Sequence, residues 1–524
     1  VPPSADGAAL RMPESTTILG AAKVTGKTNG GLSVGVLQSI TQEERASISS
    51  PFGTSEPVVV PFASYTVARV QKDWDKGNTM LGAMATGTHR FGDDAVLAFL
   101  PRRAWTGGLD FTRFLADRAF QLEARAILSR VEGERSAILE LQRSPVHYFQ
   151  REGASHLGVD PEATSLSGHS GFVRASSSQS RRFRVSDQFH WYSPGLDLND
   201  VGYLRQADLK ANDLFLSWSQ PEPKGPFRAY GIELSRDDEW DFGGLHTRAS
   251  TSVEASGTLR SKWRAAGELS YEQVVDTRAL RGGPALRWHD YFEGSLALES
   301  DPSRRTSFVA EAGHAWTTDD DSWSAEASVR LNLRPSNRLL LAAETSFERL
   351  SDDLQYVTTA AAAGGARYVL AHIDQDTWNL TLRVNLALTP DLTLQYYGSP
   401  FIGTGRYGAF KRATDTLATR PEDRYHLYGP DEIALGEGGR YVVSEEGGGR
   451  YSFANPDFSF REFRSNLVLR WEYRPGSSVY AVWSQGRTDE VAAWDSSFRS
   501  NWDDLWRTTP DNVFLVKISH WFSP

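Results

Sequence analysis

The sequence predicts an all-β chain: a large antiparallel transmembrane β-barrel of the outer-membrane type, with about 22 strands (20–24), short periplasmic turns and long extracellular loops. Three observations predict it. Apolar and polar residues alternate with a period of two along many segments, tight turns alternate with long polar loops, and Trp and Tyr are abundant, at 16 and 18 of 524 residues. Successive strand side chains point to opposite faces, so the alternation gives each strand one apolar and one polar face. Trp and Tyr suit the headgroup level at the two ends of a barrel wall.

The pattern is cleanest at residues 322–333, where Trp323, Ala325, Ala327, Val329, Leu331 and Leu333 interleave with Ser324, Glu326, Ser328, Arg330 and Asn332. It recurs at 376–388, with Trp378, Leu380, Leu382, Val384, Leu386 and Leu388 against Asn379, Thr381, Arg383 and Asn385, and again at 466–473. Followed along the chain, it places 21 strands, beginning near residues 16, 30, 61, 78, 104, 118, 165, 182, 206, 227, 245, 261, 284, 303, 322, 337, 376, 391, 459, 477 and 512. An even number lets both ends lie at one rim, so the odd count predicts one further strand, missed or lying upstream of Val1.

Short turns fall at 474–476, 389–391, 334–337, 301–303 and 221–226, all rich in Pro, Gly, Asn, Asp and Ser, which accept tight geometry. Between them come the generally longer connections 489–511, 413–458, 350–375, 317–321, 276–283 and 193–205. A pair of soluble β-domains would also alternate, but has no reason to sort its loops in this way. In the last strand Phe514, Val516, Ile518 and Phe522 share a face, resembling the terminal strand that outer-membrane assembly machinery recognises.

Composition agrees. Mean hydropathy is -0.43, and no run of about eighteen apolar residues exists, which excludes helical membrane spans; a barrel keeps such a value because only alternate residues face lipid. The lack of cysteine suits export. A net charge of -10 argues against a nucleic-acid partner, which needs a clustered basic surface. The chain starts at Val1 without an initiator Met or apolar signal segment, and is read as processed or truncated.

The segments 18–27 (ILGAAKVTGK), 141–151 (LQRSPVHYFQR), 199–205 (NDVGYLR), 468–476 (VLRWEYRPG) and 511–517 (DNVFLVK) together resemble a bacterial outer-membrane family described as a barrel domain of unknown function. That family often carries an upstream domain like the family 9 carbohydrate-binding modules. The resemblance covers most of the chain and implies a single barrel domain over residues 1–524, with the first strand and any periplasmic domain lying ahead of residue 1. It implies no catalytic residues.

The polar strand faces point inward in such a barrel, so Glu326, Arg330, Glu344, Glu348, Arg383, Arg470 and Glu472 are the expected lumen-lining residues. About 22 strands enclose more space than wall side chains fill, so water, an inserted loop or another protein must occupy it. Loop 413–458 contains seven Gly, four Tyr and nine acidic residues against four Arg. It reads either as a lid presenting Tyr441, Glu445, Glu446 and Tyr451, or as a solvated surface loop. In 489–511, Trp494, Phe498, Trp502 and Trp506 recur every four residues, which predicts an amphipathic helix. That helix either docks a partner or sugar ring, or packs its stripe on the rim. Residues 137–151 predict a second loop helix, broken at Ser144-Pro145. Asp319, Asp320 and Asp321 are weak candidates for a cation, with an acidic turn tip the simpler reading. No cofactor is expected.

No nucleophile elbow, zinc-protease helix or phosphate loop is present, so an enzyme is not expected. The expected function is a channel or a transport or export conduit for a polar, glycan-related solute, integral to the bacterial outer membrane. The alternative is a scaffold subunit anchoring a periplasmic or surface protein. Lipid, such a protein and a glycan are the candidate partners.

Overall fold

The computed structural model describes residues 8–13, 15–50, 53–92, 95–177, 181–319, 321–445 and 449–522. Among them, 23 strands join in one large antiparallel sheet. All but two have nine or more residues; the two short ones are Leu286–Arg287 and Tyr425–Leu427. Packing divides the chain into two compact units. The first comprises Val1–Ser217, Ser235–Ser250 and Val275–Leu286, and the second Trp218–Leu234, Thr251–Val274 and Arg287–Pro524.

The first unit begins with β1 (Ile18–Lys27), β2 (Leu32–Thr41), β3 (Ala63–Trp74), β4 (Thr79–Arg90), β5 (Arg103–Leu115), β6 (Phe120–Glu132), β7 (Ser165–Ser177) and β8 (Phe183–Tyr192). Each strand is paired antiparallel with the next. Tight turns at 28–31, 75–78 and 116–119 alternate with the connections 42–62, 91–102, 133–164 and 193–208. Helix α1 (Arg135–Arg143) lies in the third of these and stops at Ser144, before Pro145, because the residue preceding a proline is driven out of helical geometry. The strands β9 (Leu209–Gln220), β10 (Phe227–Trp240), β11 (His246–Leu259) and β12 (Arg264–Asp276) contribute residues to both units.

The second unit continues with β13 (Tyr291–Glu299), β14 (Thr306–Thr317), β15 (Trp323–Ser336), β16 (Leu339–Ala362), β17 (Gly365–Thr389), β18 (Leu392–Ala413), β19 (Phe458–Arg474), β20 (Ser477–Val491) and β21 (Asp511–Ser519). The turn joining β19 to β20 has Pro475 and then Gly476 with φ +77°. Pro fixes the second position of a type II turn, and the third needs the left-handed backbone that glycine takes without strain. Helix α2 (Phe498–Arg507) precedes β21.

Two expectations are corrected. The expected loop 350–375 is the far end of the β16–β17 hairpin, whose strands run 24 and 25 residues and turn at 363–364. Register shifts between Asp352 and Gln355 and between Tyr356 and Thr358 mark bulges. Each bulge breaks the two-residue period that makes a strand legible while leaving pairing on both sides intact. The strand expected near residue 284 begins at Tyr291, after a connection that holds only the short strand Leu286–Arg287.

Register fixes the two faces. Across β13 to β17, Leu296, Ala312, Ala327, Phe347 and Trp378 are cross-strand neighbours in one row, and Ser295, Gly313, Glu326, Glu348 and Thr377 form the next. On the apolar face, Leu296 is 70% exposed, Leu128 68% and Leu109 59%. Apolar side chains this exposed, repeated from strand to strand, are what a hydrocarbon-facing wall presents. Val329→Lys, at the middle of β15, is accordingly expected to destabilise the protein in lipid by about 2–4 kcal/mol. The neighbouring Ser328→Lys, on the polar face, is expected to have little effect. Urea unfolding in lipid vesicles distinguishes the two.

Candidate functional site

Two connections of the first unit pack together. The backbone of segment 193–208 closes against β7, where a Cβ on Gly168 would lie 2.1 Å from Leu196 N and one on Gly195 2.3 Å from Ser167 O. Only glycine permits that approach. Leu196, Leu204 and Ala207 then form an apolar cluster with Val146, Tyr192 and Leu198. Ala207 N donates to Val146 O at 3.0 Å. The imidazole of His147, fully buried, lies between Pro194 O at 2.9 Å and Asp197 Oδ2 at 3.2 Å. The two segments carrying the family resemblance at 141–151 and 199–205 thus belong to one packed body.

A buried charge cluster anchors its base. Arg151 Nη2 lies 2.6 Å from Asp241 Oδ2 and 3.3 Å from Asp208 Oδ2, and His156 Nε2 is 2.9 Å from Asp208 Oδ1. Backbone N–H groups of Phe242 and Leu245 donate to the same carboxylates. His156, Asp208 and Asp241 have the spacing of metal ligands, but the guanidinium of Arg151 already supplies the cation.

At the other end, Asp200 Oδ1 pairs with Arg90 Nη2 at 2.6 Å, with the side chains 12% and 13% exposed. Burial pushes the Asp200 carboxyl above its usual range, against the opposing charge of Arg90. Leu198, Val201 and Gly202 face Arg69, Met84, Asp110, Arg125 and Ile127 across a cavity of about 410 Å³. Arg69 Nη2 donates to Asp110 Oδ1 at 2.8 Å. These wall residues lie well inside β3 to β6, and Arg69 is six residues beyond the start of β3. At about 3.3 Å per residue, the far wall of the cavity at Arg69 lies some 20 Å from the start of β3, whereas Arg90, which holds Asp200, is the last residue of β4. Tyr203 at its tip is 78% exposed. The sequence marks 193–205 as a connection, and the available signal for its role is Asp200 within the family segment 199–205.

In the second unit, all seven residues expected to line a lumen lie on the polar face. Arg330 and Glu344 form a bidentate pair at 2.9 and 2.8 Å. Arg470 Nη2 reaches Glu472 Oε2 at 2.6 Å and its Nε donates to the Tyr480 hydroxyl. The Arg383 guanidinium lies 5.5 Å from the Tyr397 ring. Glu326 and Glu348 stand directly opposite each other. Opposed charges therefore cross-link parts of this face and leave an acidic pair elsewhere.

The long connection after β18 is folded. Ile433–Leu435, Arg440–Glu445 and Gly449–Ala454 form a three-stranded sheet, whose Val443, Tyr451 and Phe453 pack on Val369, Ala371 and Phe410 of the hairpin beneath, with Tyr441 half-buried beside them. The expected lid presenting Tyr441, Glu445 and Tyr451 is corrected, because these side chains pack in the loop's own core. Glu445 is 5% exposed, with Arg367 Nε at 2.9 Å and Arg412 Nε at 3.4 Å. The hydroxyls of Tyr428 and Tyr451 donate to its Oε1. Burial opposes its charge, yet Arg367 and Tyr451 hold its carboxyl below the usual range. Burial and the Glu445 charge push Tyr451 up to about 12. Glu446 lies outside the described residues.

Helix α2 is shorter than the aromatic repeat. Trp494 precedes it, since Ser497 caps the helix by accepting from Ser500 N; the Trp494 ring instead lies 5.0 Å from Arg406. Phe498 and Trp502 meet Trp378 edge-on, and Trp506 packs on Phe463. Trp378 belongs to the apolar face of β17, so the stripe lies on the wall's apolar side, with Phe498 and Trp506 still 49% and 39% exposed. Arg461, buried beneath the helix, donates to Asn501 Oδ1 at 2.8 Å. Asp319 accepts from His289 Nδ1, Asp321 is exposed, and Asp320 lies outside the described residues.

Residues 4–523 match the family described as "Domain of unknown function (DUF5916)". No curated protein matches the chain. Among solved structures, it is similar to the siderophore receptor PirA from Acinetobacter baumannii, at 9% identity over 88% of this chain and 76% of that one, with a TM-score of 0.40. It is also similar to the FrpB iron transporter from Neisseria meningitidis (9% identity, 88% and 74% covered, TM-score 0.39). A third likeness is to the anion-selective porin from Comamonas acidovorans (12% identity, 64% and 91% covered, TM-score 0.28).

Proposed function

We propose that this chain, which belongs to the family described as "Domain of unknown function (DUF5916)", is an integral outer-membrane conduit for a polar solute, with segment 193–208 as its constriction. The observation that carries the reading is the ion-paired docking of that segment at the end of β4, which sets Leu198, Val201 and Gly202 across a cavity from Arg69, Asp110 and Arg125. A pore wall needs a hydrocarbon-facing side and a wet side, and a selective pore needs a narrow place lined by fixed charges. The mixed pair Arg69–Asp110 with Arg125 beside it sets a transverse field suited to a dipolar or hydroxyl-rich solute, and the exposed ring of Tyr203 offers a stacking face for a sugar. The role needs no nucleophile or cofactor. The test is single-channel conductance in planar bilayers, with liposome swelling in neutral sugars. Small steady conductance with sugar entry is expected; a protein silent in both assays removes the reading.

A further inference from the structure

The geometry points to a divalent transition-metal site, of the kind that takes Zn²⁺, formed by His289, Asp321 and Asp353 in the second unit. A ring nitrogen of His289 and one carboxylate oxygen from each aspartate all lie within 4.8 Å of one another. They come from three places: the connection before β13, the turn between β14 and β15, and β16 at its first bulge.

The second observation is the state of the imidazole. Its side chain is 2% exposed. Nδ1 donates to Asp319 Oδ2, while Nε2 is buried and has no hydrogen-bond partner among the described residues. With the proton on Nδ1, Nε2 carries a free lone pair, which is the tautomer a metal requires. A carboxylate behind a histidine is the arrangement that orients a metal-bound imidazole and raises its basicity. Burying an unsatisfied ring nitrogen is costly unless something binds there.

Charge agrees. Two fixed cations stand against the three carboxylates of Asp319, Asp321 and Asp353: Lys411 Nζ donates to Asp353 Oδ2 at 2.6 Å and the Arg424 guanidinium acts on Asp319, while His372 Nδ1 lies 3.5 Å from Asp353 Oδ1. Their field is felt outside the cluster, since the Tyr425 hydroxyl is pushed up by burial and then by these same aspartates. The ligand set selects the metal. One imidazole with two carboxylates suits Zn²⁺ and its neighbours, with a position left for water. Ca²⁺ needs six to eight oxygens and gains nothing from the nitrogen.

The full chain in detergent, stripped with chelator, is titrated with Co²⁺ and followed by its visible absorption. The expected result is one Co²⁺ per chain, displaced by equimolar Zn²⁺ and retained in excess Ca²⁺. Asp321→Asn, at an exposed position, is expected to weaken binding by about tenfold or more, and Asp319→Asn by about 10–100-fold. His156→Ala, away from this site, should leave the titration unchanged. No binding, binding that Asp321→Asn leaves at full affinity, displacement by Ca²⁺, or loss in His156→Ala would each overturn the assignment.

Discussion

Asp200→Asn is expected to raise single-channel conductance severalfold. The substitution keeps the side chain's shape and removes its charge, leaving Arg90 with the Pro101 carbonyl, 2.8 Å from its Nη1, as its remaining partner. Breaking a buried ion pair from one side costs about 3–5 kcal/mol. At about 1.4 kcal/mol per factor of ten, that shifts docking of the segment by about two to three and a half orders of magnitude. The double variant Arg90→Met with Asp200→Leu separates charge from packing. An apolar pair of similar volume is close to neutral in such places, so conductance should return toward the wild-type value. Unchanged conductance in Asp200→Asn would show that the segment does not constrict the path.

The second large effect is expected from Glu445→Gln, which should make the connection 414–457 cleavable by protease while the strands stay protected. The glutamine keeps the acceptor for Tyr428 and Tyr451 but leaves Arg367 and Arg412 uncompensated, at a cost of about 3 kcal/mol. The Glu445 carboxyl is held below its ordinary value of 4.5 in the folded state. Its contribution is therefore complete above about pH 4.5 and is lost as pH falls through the folded value. Tyr451, pushed up to about 12, contributes fully below its unfolded value near 10 and loses that contribution as pH rises through about 12. Limited proteolysis across pH should thus show a protected loop from about pH 5 to 10 in the wild type. A Glu445→Gln loop as resistant as the wild type at neutral pH would sink the account.

Much of the wall was legible in the sequence. Val329 and Arg330 declare opposite faces by alternation alone, and the starts of β16, β18 and β20 follow from the turn chemistry ahead of them. The upper half of the β16–β17 hairpin was not legible, because bulges at Asp352 and Tyr356 shift the pattern from one face to the other while pairing continues. Helix α2 was visible in its aromatic spacing, but its start was set by Ser497, which detached Trp494 from the stripe. The acidic run at 319–321 was visible as charge. Its relation to His289 and Asp353 was not, because those residues lie on other elements.

The sequence by itself determined which side of a regularly alternating strand is apolar. That property is local: each residue's solvation preference and the two-residue pleat decide it, and no distant partner is needed. Only the tertiary structure decided what the long connections do. Asp200 meets Arg90, Glu445 meets Arg367 and Arg412, and His289 meets Asp321 and Asp353 because strand register brings remote segments to one place. A connection's composition shows that it is polar, but its fate depends on which buried charge it finds across the fold.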